Sequence, residues 1–369
     1  MQVDSALRRS NDYIPALDGW RAIAILMVLF AHGSPLSDRL PVDLGASGVA
    51  FFFILSGYLI TTRLLTKYYD GGKVALGRFY VQRGFRILPP AICYLVFLFL
   101  LNQMVRGLNV SRSEIVASLF FWRNYLLVPH SAEKLTGWFT GHFWSLSVEE
   151  HYYLVWPLII HQAGKKRALR VALIGAAGCA LWRWAGWHYK FHINYVFDHV
   201  PYFFRTDTRL DGLLLGSAVA IVLNYPRAAA AIRQYLSVRE SAACIVLLGI
   251  TWFFAGFPFI GFKEELIATV LLLATLSRPS EGLARVLAWP PLRMIGRFSY
   301  SLYIWQQLFL VVQTGRTPLG RLNQFPLNFV LVFAAALASY YFVEGPARRF
   351  GAKFEVGRET TRRAELAAV

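Results

Sequence analysis

Apolar stretches close to the length of a bilayer crossing recur from one end of this chain to the other, and no polar stretch between them is long enough for a soluble domain. That pattern constrains the fold more than any motif. In hydrocarbon each backbone N–H and C=O must be satisfied within the protein, so such stretches fold as a packed helical bundle. Composition agrees: 56 % of the 369 residues are hydrophobic and 16 % are charged, against about a quarter charged in soluble domains. The expected fold class is all-α, a single polytopic membrane domain over 1–369. Its core is expected at about 13–346, followed by a short basic tail at 347–369.

Spans are predicted at roughly 16–34, 47–66, 87–104, 142–162, 168–188, 208–224, 241–257, 264–280, 298–315 and 325–343. The segment "IVASLFFWRNYLLV" (115–128) is short and contains Arg123 and Asn124. Loop charge decides its role. If 115–128 does not cross, Lys67, Lys73, Arg78, Arg83 and Arg86 share a side with "KKRALR" (165–170), with Arg278, Arg285, Arg293 and Arg297, and with the basic tail. The opposite loops are then sparsely basic. Positive-inside bias therefore predicts about ten spans, both termini cytoplasmic, and 115–128 as a re-entrant or interfacial helix. It also accounts for most of the net charge of +17, so no nucleic-acid partner is expected. Cys93, Cys179 and Cys244 lie scattered in apolar segments, which suits neither a disulfide framework nor a metal site. The first apolar stretch lacks a small-residue cleavage site, so no cleavable signal peptide is expected.

Charge inside a span is costly, so ionisable groups there normally face protein or a wet cavity. Arg21 and His32 are eleven residues apart in the first span, close to three helical turns and about 16 Å along one face. A neutral imidazole at depth suits a general base acting on a hydroxyl. Glu149 and Glu150 open the fourth span about 100° apart. Glu149 reads as an interhelical ion pair with Arg183 or Arg209, as a carboxylate that orients or balances His32, or as one that holds a substrate hydroxyl. "RLDGLLLG" places Arg209 and Asp211 too near in sequence to face each other, with an unwound start at Gly212. Ser299, Tyr300, Ser301, Tyr303 and Gln306 fit either a polar cavity wall or inter-helix hydrogen bonding. Trp144, Trp156, Trp182, Trp184 and Trp187 read as interfacial belts ahead of sugar platforms. Arg83 and Arg86 stand three apart in "YVQRGFRILPP", as snorkelling anchors or as a bidentate phosphate clamp.

Seven motifs in order carry a resemblance: "YIPALDGWRAIAILMVLFAH", "GVAFFFILSGYLIT", "FYVQRGFRILPP", "FWSLSVEEHYYLVWP", "TRLDGLLLGSAVA", "GRFSYSLYIWQQ" and "YYFVEGPARRF". The chain resembles the membrane-bound acyltransferase-3 family, O-acyltransferases of cell-surface glycans and related acceptors. The resemblance implies acyl-CoA, usually acetyl-CoA, as a co-substrate and no permanently bound cofactor or metal. It puts His32 in the catalytic role; Glu149 is expected as a second catalytic residue beside it. It puts Arg83 and Arg86 at the CoA phosphates and Arg21 on the donor or in the field around His32. Asp18, Trp144, Ser147, Arg209, Asp211, Ser299 and Tyr300 are the expected acceptor-binding or supporting residues. One departure stands out: the family commonly has His where this chain has Gln306. The expected setting is the bacterial inner (cytoplasmic) membrane, the partners being acyl-CoA, a carbohydrate acceptor (possible as a lipid-linked form) and the bilayer. The tail after Pro346 suggests a stand-alone form without an appended esterase domain. The alternatives are O-acylation of a macrolide or other secondary metabolite, and a non-catalytic glycan-lipid transporter, against which the missing internal repeat counts.

Overall fold

The structure is a computed structural model that describes residues 13–34, 36, 43–70, 73–105, 107–126, 137–189, 204–236, 242–243, 245–247, 262–278, 282–311 and 318–353. Most of the predicted span at 241–257, Cys244, Trp187's side chain and most of the basic tail lie outside the described residues.

The chain is helical, as the apolar runs require. Helix α1 (Pro15–Gly33) starts with proline in its first turn, where a missing N–H costs nothing. Asp43 caps α2 (Leu44–Thr66) by accepting from the Ala46 N–H at 2.9 Å. A two-residue hairpin, Tyr69–Asp70 with Lys73–Val74, leads into α3 (Leu76–Met104). Pro89 and Pro90 lie inside α3, so its ladder is loosened just beyond Arg83 and Arg86. The capped helix α4 (Arg112–Leu119) is followed by α5 (Phe143–His188), 46 residues long. Gly164, at φ 69 and ψ 173, breaks α5 into two parts that match the separate spans predicted at 142–162 and 168–188. Only a residue without Cβ adopts that geometry cheaply. Then come α6 (Asp211–Leu223), α7 (Pro226–Tyr235), bent by 105° from α6, α8 (Phe262–Ser277), α9 (Pro290–Arg297), α10 (Ser299–Phe309) and α11 (Leu327–Ser339).

Among the described residues, five helical stretches are long and apolar enough to cross a membrane, or six if the bent α6–α7 pair counts as one. The described part of segment 115–128, residues 115–126, holds no helix long enough to cross. Its helix α4 has eight residues, about 12 Å of rise, and is closed by a Ser111–Glu114 capping box. The chain then folds back so that Arg123 reaches Thr140 Oγ1 (3.0 Å), the Gly137 carbonyl (3.1 Å) and, at 3.8 Å, Glu114.

Backbone-to-backbone packing sets the core. A Cβ at Gly57 would lie 2.0 Å from the Leu213 carbonyl oxygen, and one at Gly216 would lie 2.1 Å from that of Ile54. Helices α2 and α6 therefore cross in direct backbone contact, the small-residue packing that membrane bundles use. Trp144 and Trp156 belong to the interior rather than to a belt. Trp156 is stacked on Tyr152, its indole N–H donating to Thr61 at 2.8 Å. Trp144 packs against Phe53 and Phe204.

Candidate functional site

A cavity of about 800 Å³, its open mouth included, runs between α1, α2, α3, α5 and α10. Helical spacing builds each wall. Ser145, Glu149 and Tyr153 line one face of α5 at steps of four, Ser56 and Arg63 are two turns apart on α2, and Ser299 and Tyr303 are one turn apart on α10. Arg83 and Arg86 enter together from α3, and Arg21 faces them from α1. Arg63 is exposed and marks the mouth.

Four guanidinium groups thus meet one carboxylate. Glu149 accepts from Ser56 Oγ at 2.8 Å and from the Tyr153 hydroxyl at 3.0 Å, and lies 3.8 Å from Arg83. The Arg83 guanidinium also stacks 3.7 Å above the Tyr153 ring, while its Nε has no hydrogen-bond partner. Among the described residues, Arg21, Arg63 and Arg86 have no ion-pair partner within 4.0 Å. Ser299 Oγ is buried in the wall and also lacks a partner.

The inner end of the cavity is a hydrogen-bonded floor. The Tyr303 and Ser145 hydroxyls are 2.5 Å apart, and both lie within hydrogen-bond distance of the His142 carbonyl, at 3.1 and 3.3 Å, so one donates to the other and the second to the carbonyl. Behind the floor stand two histidines held by consecutive glutamines. Gln306 Oε1 is 2.8 Å from His32 Nδ1; Gln307 Oε1 accepts from the His142 backbone N–H at 2.9 Å and is 2.7 Å from its Nδ1. The Trp138 indole N–H donates to the Gln307 carbonyl at 3.1 Å, and its ring meets His32 edge-on at 5.5 Å. His32 is not among the residues that line the arginine cavity.

The structure brings together much of what the sequence singled out, and corrects several readings. Arg21, Arg83, Arg86, Glu149, Ser299 and Tyr300 all line the cavity, the Tyr300 hydroxyl donating to the Ile87 carbonyl at 2.8 Å. Glu149 does not orient His32: its partners are Ser56, Tyr153 and Arg83, and His32 is held by Gln306. Nor does Glu149 pair with Arg183 or Arg209. Arg183 pairs with Asp211 at 2.7 Å and approaches Glu265 at 3.8 Å, and Arg209 approaches Glu265 at 3.4 Å. Arg209 and Asp211 thus belong to a separate buried ionic cluster. Gly212 is helical rather than unwound; it makes room for Phe53 and the Glu265 side chain, each 3.1 Å from where a Cβ would sit. Asp18 faces outward, accepting from Tyr13 at 2.5 Å with Arg297 at 3.7 Å. Ser147 turns back to its own helix, donating to the Phe143 carbonyl at 2.9 Å, and Trp144 lies outside the cavity under the Arg209 guanidinium. Ser301 donates to Glu344 at 2.9 Å, away from the cavity lining.

Sequence reasoning missed Arg63, Tyr153, Ser56 and Ser145 on the walls, and the His142–Gln307 pair behind the floor. Arg63 left a signal as a charge inside an apolar span; the others left none without knowledge of which helices meet.

These features define a helical integral membrane protein built around a cation-lined, partly open cavity. The chain belongs to the acyltransferase-3 family, whose model, described as an acyltransferase domain, matches residues 14–344. It is 28 % identical over 365 residues to the peptidoglycan O-acetyltransferase OatA of Listeria monocytogenes, covering 93 % of this chain and 57 % of that protein. It is 29 % identical over 368 residues to YrhL of Bacillus subtilis, named provisionally as a peptidoglycan O-acetyltransferase, covering 92 % of this chain and 55 % of the relative. A Staphylococcus aureus protein named provisionally as an O-acetyltransferase is 29 % identical over 367 residues, at 92 % and 58 % coverage. The chain therefore spans little more than half the length of these relatives. No solved structure matches it.

Proposed function

We propose that the chain transfers an acyl group, acetyl in the first instance, from acyl-CoA to a hydroxyl of a cell-surface glycan. The observation that carries this reading is the charge imbalance of the cavity: four guanidiniums, one carboxylate, and no ion-pair partner within 4.0 Å for Arg21, Arg63 or Arg86 among the described residues. Gathering that much uncompensated positive charge in a partly enclosed cavity, with only Arg63 exposed at the mouth, is unfavourable unless an anionic ligand completes it. Guanidinium forks bind phosphate oxygens bidentately, and the phosphates of CoA meet that demand. Arg83 and Arg86 form the clamp, with Arg21 deeper and Arg63 at the mouth. The unpartnered Arg83 Nε and Ser299 Oγ are further donors to the same ligand.

In this reading the thioester end points away from the mouth, towards the Tyr303–Ser145 floor, and reaches His32 past it. Arg21 and His32 lie about 16 Å apart along α1, which matches the need for an extended arm between the phosphates and the reacting carbonyl. His32 takes the proton of the acceptor hydroxyl as its oxygen attacks the thioester carbon. The C–S bond then breaks, and the departing CoA thiolate recovers the proton from the imidazolium. The acceptor follows from chemistry less directly. The names of the relatives in Listeria and Bacillus put peptidoglycan first, ahead of O-antigen or exopolysaccharide. The membrane arrangement proposed with it is ten spans in a bacterial cytoplasmic membrane, with both termini and the cavity mouth on the cytoplasmic side, where acyl-CoA is made.

The test is CoA thiol release from acetyl-CoA by the full chain in nanodiscs, with muropeptides as acceptor. Acceptor-dependent release is expected, and His32→Ala should lower it by about 10²–10⁴-fold in a protein that stays monodisperse. A His32→Ala variant retaining a tenth of the activity would move the base elsewhere. Orientation has its own check: a cysteine placed at Arg112 should be labelled from outside intact cells, and one at Lys166 should not.

A further inference from the structure

The Gln306 side chain is fully buried, and only half of it has a partner. Its Oε1 lies 2.8 Å from His32 Nδ1, whereas its Nε2 has no hydrogen-bond partner among the described residues. Because Oε1 can only accept, the His32 hydrogen sits on Nδ1, and Nε2 of the ring keeps the lone pair that a general base needs. The neighbouring pair is built differently. Gln307 Oε1 is engaged twice by His142, through the ring and through the backbone N–H, and Gln307 Nε2 is not among the unpartnered buried atoms. A buried amide N–H₂ with nothing to donate to is costly, and Gln306 is where that cost is carried beside the base.

We propose that Gln306 is a second catalytic residue: its Oε1 fixes the tautomer of His32, and its Nε2–H donates to the acyl carbonyl oxygen as that oxygen becomes an oxyanion. This rests on the reading of His32 as the base and of a thioester as the donor. In the step proposed, the acceptor oxygen bonds to the thioester carbon while its proton passes to His32 Nε2. The carbonyl π pair moves onto oxygen, where Gln306 Nε2–H meets it; the pair returns, the C–S bond breaks, and the thiolate leaves with the proton from His32. A preorganised donor in a site screened from water gains most when charge develops on its acceptor. A neutral imidazole also offers one acceptor and one donor, so histidine at this position supplies the same two contacts as the amide.

The test compares Gln306→Met, Gln306→Glu, Gln306→His and His32→Ala in the CoA-release assay, with muropeptides as acceptor and thermal melting as the folding control. Gln306→Met is expected to lower kcat by about 10²–10³-fold with the acetyl-CoA KM changed less than threefold, as for loss of an oxyanion donor. Gln306→Glu keeps the acceptor for Nδ1–H but loses the donor and adds a negative charge. Its kcat should fall at least as far, and the acid limb of its pH–rate profile should move to higher pH, because a carboxylate favours the imidazolium. Gln306→His should recover most of the rate. A folded Gln306→Met variant within threefold of the parent kcat, beside an inactive His32→Ala, overturns this inference and leaves the reading of His32 intact. If Gln306→Met fails to fold, a folded Gln306→His variant decides: activity supports the proposal, and inactivity overturns it. An active His32→Ala removes the reading of His32 and this inference with it.

Discussion

Among the described residues, two clusters of charge within the bundle are built on opposite plans. In the first, Arg183, Arg209, Asp211 and Glu265 are all buried, two cations against two anions, joined by contacts of 2.7, 3.4 and 3.8 Å. In the second, Arg21, Arg63, Arg83 and Arg86 face a single carboxylate across an open cavity, and only Arg83 approaches it, at 3.8 Å. Balance leaves no net charge to be matched from outside and ties α5 and α6 to α8, although Arg183 Nε, Asp211 Oδ1 and both Glu265 carboxylate oxygens lack hydrogen-bond partners among the described residues. Imbalance asks for a ligand. The comparison teaches that charge inside a membrane protein is informative as a difference between partners, not as a count.

The largest effect should come from breaking the balanced cluster. Arg183→Ala leaves Asp211 and Glu265 buried with too little positive charge, a loss of about 3–5 kcal/mol. The expected outcome is a much lower melting temperature in detergent, or no folded protein, with little change in the acetyl-CoA KM of any folded fraction. A thermally normal Arg183→Ala would break the contrast. Next in size is the open cluster. Arg83→Lys and Arg86→Lys keep the charge but lose the fork, so each should raise the acetyl-CoA KM about tenfold or more, for hydrogen bonds of about 1.5–3 kcal/mol. Their melting temperature should hold, since the charge is kept and, among the described residues, only Arg83 of the pair approaches a carboxylate, at 3.8 Å. Lysine variants that bind acetyl-CoA like the parent would reduce the pair to a snorkelling anchor. The smallest effect is expected from Glu149→Gln. Among the described residues it removes the one carboxylate lining the cavity while keeping groups that can meet Ser56 and Tyr153, and should tighten acetyl-CoA by about 1 kcal/mol or less. A hundredfold fall in kcat instead would give Glu149 a proton-handling role of its own.

How much of this was legible in the sequence depended on range. Helix positions followed from local apolarity, and even the separation of 142–162 from 168–188 survives as the break at Gly164 inside a continuous run. The in-helix spacing of Arg83 with Arg86 brings both to one cavity because 3.6-residue periodicity is local, whereas Arg21 lines that cavity and His32 does not. What failed was pairing between distant helices. Glu149 was linked to His32 or to Arg183 because a lone carboxylate fits any of them; only the packing shows that α5 turns this face to Ser56 and Arg83. Asp18 sits three residues from Arg21, yet the helix turns it outward to Tyr13 and Arg297. Gln306 stood out only as a departure from the family's histidine, because its partner His32 lies 274 residues away in sequence.

The crossing of α2 over α6 has a consequence for how mutational scans of this protein will read. Gly57 and Gly216 present bare backbone to backbone, so any side chain at either position must push two helices apart. A growth-based screen would score these glycines as harshly as the arginines, although they touch no reactant. Protein abundance separates the two groups: arginine variants should accumulate and fail, whereas glycine variants should be lost before they can act. Intolerance at such contacts records the exclusion of volume, and only a readout that divides activity by amount will keep it from being mistaken for chemistry.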